Sequence, residues 1–296
     1  MNTNIKERFL VHIRNEHLCN KGERILLAVS GGADSMMMAQ LFLDSGFSMG
    51  IAHCNFQLRE QDADRDELLV KEFSIKNNIP FYSIRFETEA FAAKEKLSIE
   101  EAARVLRYEW FEKIREHNHY TFIATAHHQN DNIETLLFNF FRGTGMHGLH
   151  GIPVKQGKII RPMLFLTKKE IVEYVSQNNI SYADDITNFS DDYTRNYLRN
   201  KVIPLLEKPF PGIEKRLGQN IQRFSEAGKL YDQSIEWYKK NLIEIKDKEF
   251  FIPVLKLKKN QPLSTIAYEI FKDWGFSHEQ SQQIIQILDS EPGKMI

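Results

Sequence analysis

The sequence contains very little cysteine and no long apolar segment. Cys19 and Cys54 are the two cysteines among its 296 residues, which excludes a disulfide framework and a metal site built from cysteine ligands. No apolar run approaches the roughly 20 residues that a membrane span requires. The N-terminal segment MNTNIKERFLVHIRNEHL alternates charged and apolar residues at helical spacing, unlike a signal peptide. These absences predict a protein of the reducing cytoplasm that does not associate with membranes.

The rest of the composition is that of an ordinary globular protein. Hydrophobic residues make up 42% of the chain and charged residues 27%, with a net charge of −1. The charge is unevenly distributed, because ten Lys and Arg residues are balanced by only five Asp and Glu residues between Arg195 and Lys240. A solvated helical face is the ordinary interpretation of such a stretch, and a nucleic-acid contact surface is the alternative.

Strand and helix patterns alternate through the first two thirds of the chain. Short branched apolar runs predict strands at Ile25–Val29, Met49–Cys54, Phe81–Phe86 and Thr121–Ala126. Helical spacing of apolar residues predicts helices at about 34–45, 62–78, 98–117 and 130–141. Capping-box pairs, Ser98 with Glu101 and Thr167 with Glu170, predict two helix starts. Short connections between strand and helix predict an α/β fold with a doubly wound, mostly parallel sheet.

The composition and the hydrophobic pattern of the sequence change near residues 205–212. Three prolines in PLLEKPFPGIEKRL interrupt the pattern there, and helical periodicity with few glycines follows. We therefore predict a catalytic domain at residues 1–208 and a smaller, mainly helical domain at residues 209–296. The loop FRGTGMHGLHGIP at residues 141–153 is too irregular to predict a helix or strand.

The first strand is followed by the glycine-rich turn SGGADS, residues 30–35. Glycines bring backbone N–H groups close to a ligand, and the N-terminus of the following helix favours negative charge, so such a turn suits phosphate. The turn lacks the lysine of the nucleoside-triphosphate P-loop, and two glycines also occur in such turns for steric reasons alone. The hydroxyls of Ser30 and Ser35 can donate to phosphate, whereas Asp34 fits beside phosphate if Mg²⁺ lies between them.

This turn resembles the SGGxDS PP-loop of the N-type ATP pyrophosphatases, and the resemblance covers roughly residues 22–205. It implies a Rossmann-like fold of the adenine nucleotide alpha hydrolase-like type. It also implies an enzyme that activates a carbonyl by adenylation and releases pyrophosphate. The ATP-binding residues that it implies in the turn are Ser30, Gly31, Gly32, Ala33, Asp34 and Ser35, with Asp34 as the ligand of Mg²⁺.

Four further stretches resemble the tRNA(Ile)-lysidine synthetase family. They are IAHCNFQLRE (51–60), EEAARVLRYEWF (100–111), TAHHQNDNIETLLFNFFRGTG (125–145) and TRNYLRNKVIPLL (194–206). The resemblance implies ligation of L-lysine to the wobble cytidine of isoleucine tRNA with a CAU anticodon, through an adenylated tRNA. Another adenylating PP-loop enzyme, of the tRNA-thiolation or amidotransferase type, is the alternative. The absence of a Cys-x-x-Cys pair counts against sulfur transfer.

Several charged residues of these stretches are candidates for the chemistry. Arg104 and Arg107 are three apart on one predicted helix, where they form either a solvated face or a pair of phosphate ligands. His127, Asp131 and Glu134 share one face of the next helix, although acidic residues near a helix N-terminus also suit the helix dipole. Two carboxylates beside ATP require a cation, which is either Mg²⁺ or the ε-ammonium group of a lysine substrate.

We therefore expect the following roles for individual residues. His53, Arg104 and His127 join the turn in binding ATP. Asp131 orients and deprotonates the lysine amine, with Glu134 as its partner in lysine binding. Asp34, Arg104, Asp131 and Glu134 form the catalytic set. The residues expected to bind tRNA are Arg107, Arg142, Arg195, Arg199, Lys215 and Arg216.

Three further expectations concern the core, the C-terminus and assembly. The phenylalanines of LLFNFFRG, residues 138, 140 and 141, have helical spacing, so we predict that they belong to the core rather than to a stacking platform. The ending LDSEPGKMI stops just after a Pro-Gly turn, and many lysidine synthetases continue into a small C-terminal domain, so we expect a truncated chain. The oligomeric state is left open, with a homodimer among the options.

Overall fold

The computed structural model describes residues 4–58, 60–183, 194–247 and 249–288. Residues 289–296, which carry the expected truncation, lie outside these ranges. The contacts within the chain divide it into two units, Met1–Ile221 and Gln222–Ile296. Across the described ranges, no helix is both long enough and apolar enough to cross a lipid bilayer.

The first unit is built on a sheet whose strands, in the described residues, number six. They are β1 (Arg24–Ala28), β2 (Ser48–Asn55), β3 (Phe81–Arg85), β4 (Phe122–Ala124), β5 (Lys155–Gln156) and β6 (Ile159–Ile160). Their order across the sheet is β3-β2-β1-β4-β6-β5, and every neighbouring pair is parallel except β5 with β6. The prediction of a mostly parallel, doubly wound sheet is confirmed. The short strands β5 and β6 were not predicted, because a two-residue strand carries no periodicity.

Helices cover both faces of this sheet, as in other doubly wound folds. They are α1 (Ile5–Asn15), α2 (Ala33–Asp44), α3 (Glu60–Lys76), α4 (Thr88–Glu95), α5 (Ile99–His117), α6 (Gln129–Arg142), α7 (Met146–Leu149), α8 (Lys168–Gln177), α9 (Thr194–Tyr197) and α10 (Ile203–Glu207). A π-helical turn, Leu198–Val202, joins α9 to α10. Both predicted capping boxes are present at the starts of α5 and α8. Helix α4 was missed, and the loop predicted at residues 141–153 contains the single helical turn α7.

The apolar first strand and its helix explain why the glycine turn lies where it does. β1 is buried at its centre between β2 and β4, and α2 buries Met36, Met37 and Phe42 against the same core. The chain continues from β1 to β2 on one side and returns to β4 on the other, so the strand order reverses between β1 and β4. Ligands of such folds bind in the crevice outside the carboxyl ends of the strands at this reversal. The turn after β1 and the segment after β4 both lie there.

The second unit is mainly helical. Helix α11 (Ile213–Leu242) contains the division between the units, and it is followed by β7 (Glu244–Lys246), β8 (Glu249–Phe251), α12 (Val254–Lys258), α13 (Leu263–Phe271), a 3₁₀ turn (Lys272–Trp274) and α14 (His278–Ile287). β7 and β8 pair in antiparallel register. A small core of Leu242, Leu257, Ile266 and Ile270 joins these elements.

Candidate active site

The glycine turn is held in place by its own serines. Ser35 Oγ accepts hydrogen bonds from the backbone N–H groups of Ser30 (3.1 Å) and Gly31 (3.2 Å) and donates to the carbonyl of Gly32 (3.0 Å). Gly31 has a φ of +100°, and a Cβ there would lie 3.3 Å from the Cβ of Asp66, so both conformation and space favour glycine. Ser35 is buried, whereas Ser30 is exposed. Ser35 therefore shapes the turn, and Ser30, whose Oγ lies 3.2 Å from that of Ser35, lines the cavity described next.

A cavity of about 360 Å³ opens at this turn. Its polar lining comes from three parts of the fold. The polar and charged side chains are those of Ser30, Asp34, Ser35, Arg107, Tyr108, Thr125, His127 and Asp131. Phe56 and Phe111 supply apolar walls. A concave site of this size, apolar with a few converging polar groups, suits a small-molecule ligand. The structure thus brings the predicted phosphate turn and one of the two predicted helix carboxylates, Asp131, into a single cavity.

Asp34 lies in a network of charged groups at the edge of the turn. Its Oδ1 is 2.6 Å from Nζ of Lys168, the first residue of α8. Its Oδ2 is 3.8 Å from Nε2 of His128, and the same nitrogen is 3.6 Å from Oδ2 of Asp131. The two carboxylates therefore flank one imidazole nitrogen. Neither Lys168 nor His128 was predicted to take part, although the Thr167 capping box had already placed a helix start beside Lys168.

This arrangement fits Mg²⁺. Within the described ranges, no three or more His, Cys, Asp or Glu side chains are grouped so that they could hold a metal ion. Any metal would therefore need further ligands from substrate or water. Mg²⁺ is usually held by one or two carboxylates together with substrate phosphates and water. Asp34 lies in the glycine turn and lines the cavity, so it can supply one such carboxylate beside bound phosphate.

Arg199 occupies the carboxylates that were expected to bind lysine. Its Nε and Nη2 lie 2.6 and 2.9 Å from the two carboxylate oxygens of Glu134, and Nη2 is 3.3 Å from Oδ1 of Asp131. Glu134 is only 3% exposed and does not line the cavity, whereas Asp131 does. Burial raises the pKa of the Glu134 carboxyl, and the hydrogen bond from Arg199 opposes that rise. The structure places Arg199, expected to bind tRNA, on the acidic cluster itself.

The two histidines expected to contact ATP are both partly or fully buried. His127 lines the cavity, and its Nδ1 is 2.9 Å from the hydroxyl of Thr125. Burial lowers the pKa of His127 to about 4, so its imidazole is neutral at pH 7 and offers phosphate a hydrogen bond but no charge. His53 does not line the cavity. Its Nδ1 lies 2.9 Å from the carbonyl of Val29, and burial lowers its pKa as well. His53 therefore contacts the backbone between the end of β1 and the start of the turn.

The positions of the two arginines of α5 are the reverse of those expected. Arg107, expected to bind tRNA, lines the cavity with its guanidinium carbon 5.1 Å from the ring centre of Phe56. Arg104, expected to bind ATP, is exposed and lies 5.2 Å from the ring centre of Tyr108. Both remain close enough to the site to act electrostatically, since the charge of Arg104 contributes to the lowered pKa of His127.

The remaining residues expected to bind tRNA lie on the surface. Arg142 and Arg195 flank the ring of Phe138, with guanidinium carbons 5.1 and 5.6 Å from its centre. Lys215 and Arg216 are exposed near the start of α11. All four belong to the first unit and are available to a large anionic partner.

Two protein families match parts of this sequence. Residues 1–206 match the family described as the PP-loop domain, and residues 245–296 match the TilS substrate binding domain. A tRNA(Ile)-lysidine synthase of Chlorobaculum tepidum is 41% identical over 243 residues, which cover 81% of this chain and 72% of that protein. The chain belongs to the tRNA(Ile)-lysidine synthase family.

Other lysidine synthase relatives extend the match over nearly the whole chain. The enzyme of Parabacteroides distasonis is 36% identical over 96% of this chain, and that of Petrotoga mobilis is 34% identical over 95% of it. The match spans 64% of the length of the Parabacteroides protein and 90% of the Petrotoga protein. The chain thus spans slightly less than two thirds of the length of the first of these relatives.

A solved structure shares the fold. The U34-tRNA thiolase NcsA from Methanococcus maripaludis, solved with its [4Fe-4S] cluster, superposes with a TM-score of 0.59 at 18% identity. The superposition covers 75% of this chain and 80% of the thiolase. The likeness supports the fold of this member of the lysidine synthase family.

The ion pair of Arg199 with Glu134 leads to a prediction about the stability of this chain. Arg199→Ala leaves a buried carboxylate without its partner, and we expect the free energy of unfolding to fall by about 2–4 kcal/mol near pH 8. Because burial already holds the pKa of Glu134 above its ordinary value, the folded state binds this proton more tightly than the unfolded chain. The loss should therefore be smaller near pH 5, where Glu134 of the variant is more often protonated. Denaturant unfolding at the two pH values measures both effects.

The control for this prediction is the double variant Arg199→Ala with Glu134→Gln. It removes the arginine and the buried charge together, so it should be more stable near pH 8 than Arg199→Ala alone. Equal stability of the single and double variants would show that the pair does not compensate a buried charge.

Proposed function

We propose that this chain catalyses the ATP-dependent ligation of L-lysine to the wobble cytidine of isoleucine tRNA with a CAU anticodon. An adenylated tRNA is the intermediate, and AMP and pyrophosphate are the products. The observation that carries the proposal is the single cavity shared by the glycine turn and Asp131. A nucleotide bound at the turn and an amine bound at Asp131 could both reach the same substrate base in this cavity. The family to which the chain belongs supports the same reaction.

In the first step, the carbonyl oxygen of cytidine bonds to the α-phosphorus of ATP, and the bond from that phosphorus to pyrophosphate breaks. The N–H groups of Ser30 and Gly31 are bonded to Ser35, so the phosphates bind to the N–H groups at the start of α2 and to the hydroxyl of Ser30. Arg107, which lines the same cavity, supplies positive charge. Asp34 would hold Mg²⁺, which would neutralise phosphate charge when bound.

In the second step, the ε-amine of lysine bonds to the activated carbon of cytidine, and the bond to the AMP oxygen breaks. The amine must lose a proton to react, and the carboxylate of Asp131 is placed in the cavity to receive it. Glu134 lies behind it, with both oxygens on Arg199. We therefore assign the contact with the amine to Asp131. Glu134 acts as the partner of Asp131, because it holds Arg199 beside the Asp131 carboxylate.

Pyrophosphate release distinguishes this function from the alternatives. Release in the presence of ATP and Mg²⁺ should depend on lysine together with tRNA bearing a CAU anticodon, and either substrate alone should support little sustained turnover. Glutamine or a sulfur donor in place of lysine should not restore it. Turnover with a sulfur donor would instead favour the thiolation class, although two cysteines, Cys19 and Cys54, offer that chemistry few ligands. We place the reaction in the cytoplasm, with its tRNA substrate.

The surface charges predict a salt effect on tRNA binding. Each bound phosphate releases counterions, so affinity falls linearly on logarithmic axes as salt increases. Replacing Lys215 and Arg216 by Gln should weaken binding and reduce the slope by about 1–2 in total, roughly 1 for each phosphate that is no longer bound. Titration of labelled tRNA at several salt concentrations measures the slope. The matched control is the pair Lys71→Gln and Lys76→Gln on the exposed face of α3, which should leave it unchanged. If the variant of Lys215 and Arg216 has the same slope as the parent, these two residues do not bind tRNA phosphates.

A further inference from the structure

Two large aromatic side chains project from the end of α6 into solvent. Phe140 is 62% exposed and Phe141 is 63% exposed, so the prediction that they belong to the core is wrong. Their rings meet edge to face, with centres 5.9 Å apart. Exposed apolar side chains that occur singly need no explanation, but adjacent aromatic rings beside a reactive site indicate a contact surface.

Positive charge accompanies these rings. Arg142 and Arg195 flank Phe138, which lies on the same helix one turn before Phe141. The charge of Arg195 also lowers the pKa of Glu134, so it reaches the acidic cluster as well as the aromatic patch. Aromatic faces together with arginine match the chemistry of single-stranded nucleic acid, which presents flat bases on an anionic backbone. A purely apolar protein partner would leave these arginines without a role.

The spacing along α6 connects the patch to the reaction. Asp131 and Phe141 are ten residues apart on α6, which places them about 15 Å apart along the helix axis. That length corresponds to about four nucleotide steps of 3.4 Å along one strand. A base held at Phe141 would therefore belong to the same unpaired loop as a cytidine that reacts near Asp131.

We propose that Phe140 and Phe141, with Arg142 and Arg195, form a stacking platform for unpaired bases that neighbour the reacting cytidine. The inference rests on the proposed function for the identity of the RNA. The rings stack on the faces of the bases, and the arginines bind the adjoining phosphates. The platform selects a single-stranded loop over a duplex, because paired bases do not expose their faces.

The test compares binding of two RNA probes to the whole chain. One probe is a short single-stranded RNA with the sequence of the CAU anticodon loop, and the other is the same RNA annealed to its complement. The variant Phe140→Ala with Phe141→Ala should bind the single strand about 5- to 150-fold more weakly for each base that no longer stacks. Its binding of the duplex should equal that of the parent. Ile75→Ala, which removes another apolar side chain that is 65% exposed, is the control and should change neither.

A spectroscopic variant tests stacking directly. Phe141→Trp keeps an aromatic face, so it should retain binding, and the fluorescence of its indole should be quenched when the single strand is added. Parental single-strand binding by the double alanine variant would overturn the platform. So would loss of self-association in that variant with RNA binding unchanged, because the patch would then be a protein interface.

Failure of the platform and failure of the proposed function give different results. If the parent forms lysidine and the double alanine variant binds single-stranded RNA normally, the platform alone is refuted. If the parent forms no lysidine but the platform variants lose single-stranded RNA, the proposed reaction alone is refuted.

Discussion

Asp34→Asn is expected to reduce the rate of adenylation by about 10²–10³-fold while the chain keeps its fold. Asp34 lines the cavity beside the glycine turn, and it is the residue of the turn that can bring a cation to the phosphates. Asparagine keeps the shape of the side chain and can still accept the hydrogen bond from Lys168. The loss should therefore appear in catalysis rather than in stability. Pyrophosphate release in a single turnover, together with a thermal melting curve, measures both.

Asp44→Asn is the matched control for this variant. Asp44 ends the same helix, α2, on its exposed side, where its carboxylate accepts a hydrogen bond from Gln40. It should adenylate at the parental rate. Normal adenylation by Asp34→Asn would remove the metal role that we assign to Asp34.

Asp131→Asn is expected to separate the two chemical steps. It removes the charge and basicity of the side chain, so we expect lysine transfer to fall by about 10²–10⁴-fold, the range for loss of a general base. The glycine turn, Arg107 and Asp34 are unchanged, so adenylation should survive and AMP-linked tRNA should accumulate. Single-turnover assays that follow AMP-linked tRNA and lysine incorporation separately measure the two rates.

The control for Asp131→Asn addresses the structural role of this residue. Asp131 accepts a hydrogen bond from the backbone N–H of His128 at the start of α6, as Glu170 does from Thr167 at the start of α8. Glu170→Gln alters the equivalent cap of another helix and should leave lysine transfer intact. If Asp131→Asn loses adenylation as well, and added Mg²⁺ restores it, then Asp131 is a metal ligand and another group receives the amine proton.

Local sequence signals were sufficient for the elements that build the crevice. The apolar run that ends at Val29, the glycines after it and the capping pair Ser98 with Glu101 all act within a few residues. Such signals predict β1, α2 and α5 because backbone conformation there follows from neighbouring side chains. The spacing of Asp131 and Glu134 likewise predicted a shared helix face.

Long-range contacts could not be predicted in the same way. Arg199 meets Glu134 across 65 positions, and Lys168 meets Asp34 across 134 positions, so no local pattern records either pair. The exposure of Phe140 was also missed, because helical spacing of apolar residues indicates a face and does not reveal what covers it. The roles of Arg104 and Arg107 depended on the same unknown, the direction in which one helix presents each side chain.

The central claim is that this cavity joins lysine to a wobble cytidine. The most direct test supplies the chain with ATP, Mg²⁺, isotopically labelled lysine and isoleucine tRNA with a CAU anticodon, then digests the tRNA to nucleosides. We predict that the label appears in the nucleoside at the wobble position, accompanied by AMP and pyrophosphate, and that a tRNA with uridine at that position stays unlabelled. Pyrophosphate release without retained lysine, or equal labelling of the uridine tRNA, would contradict it.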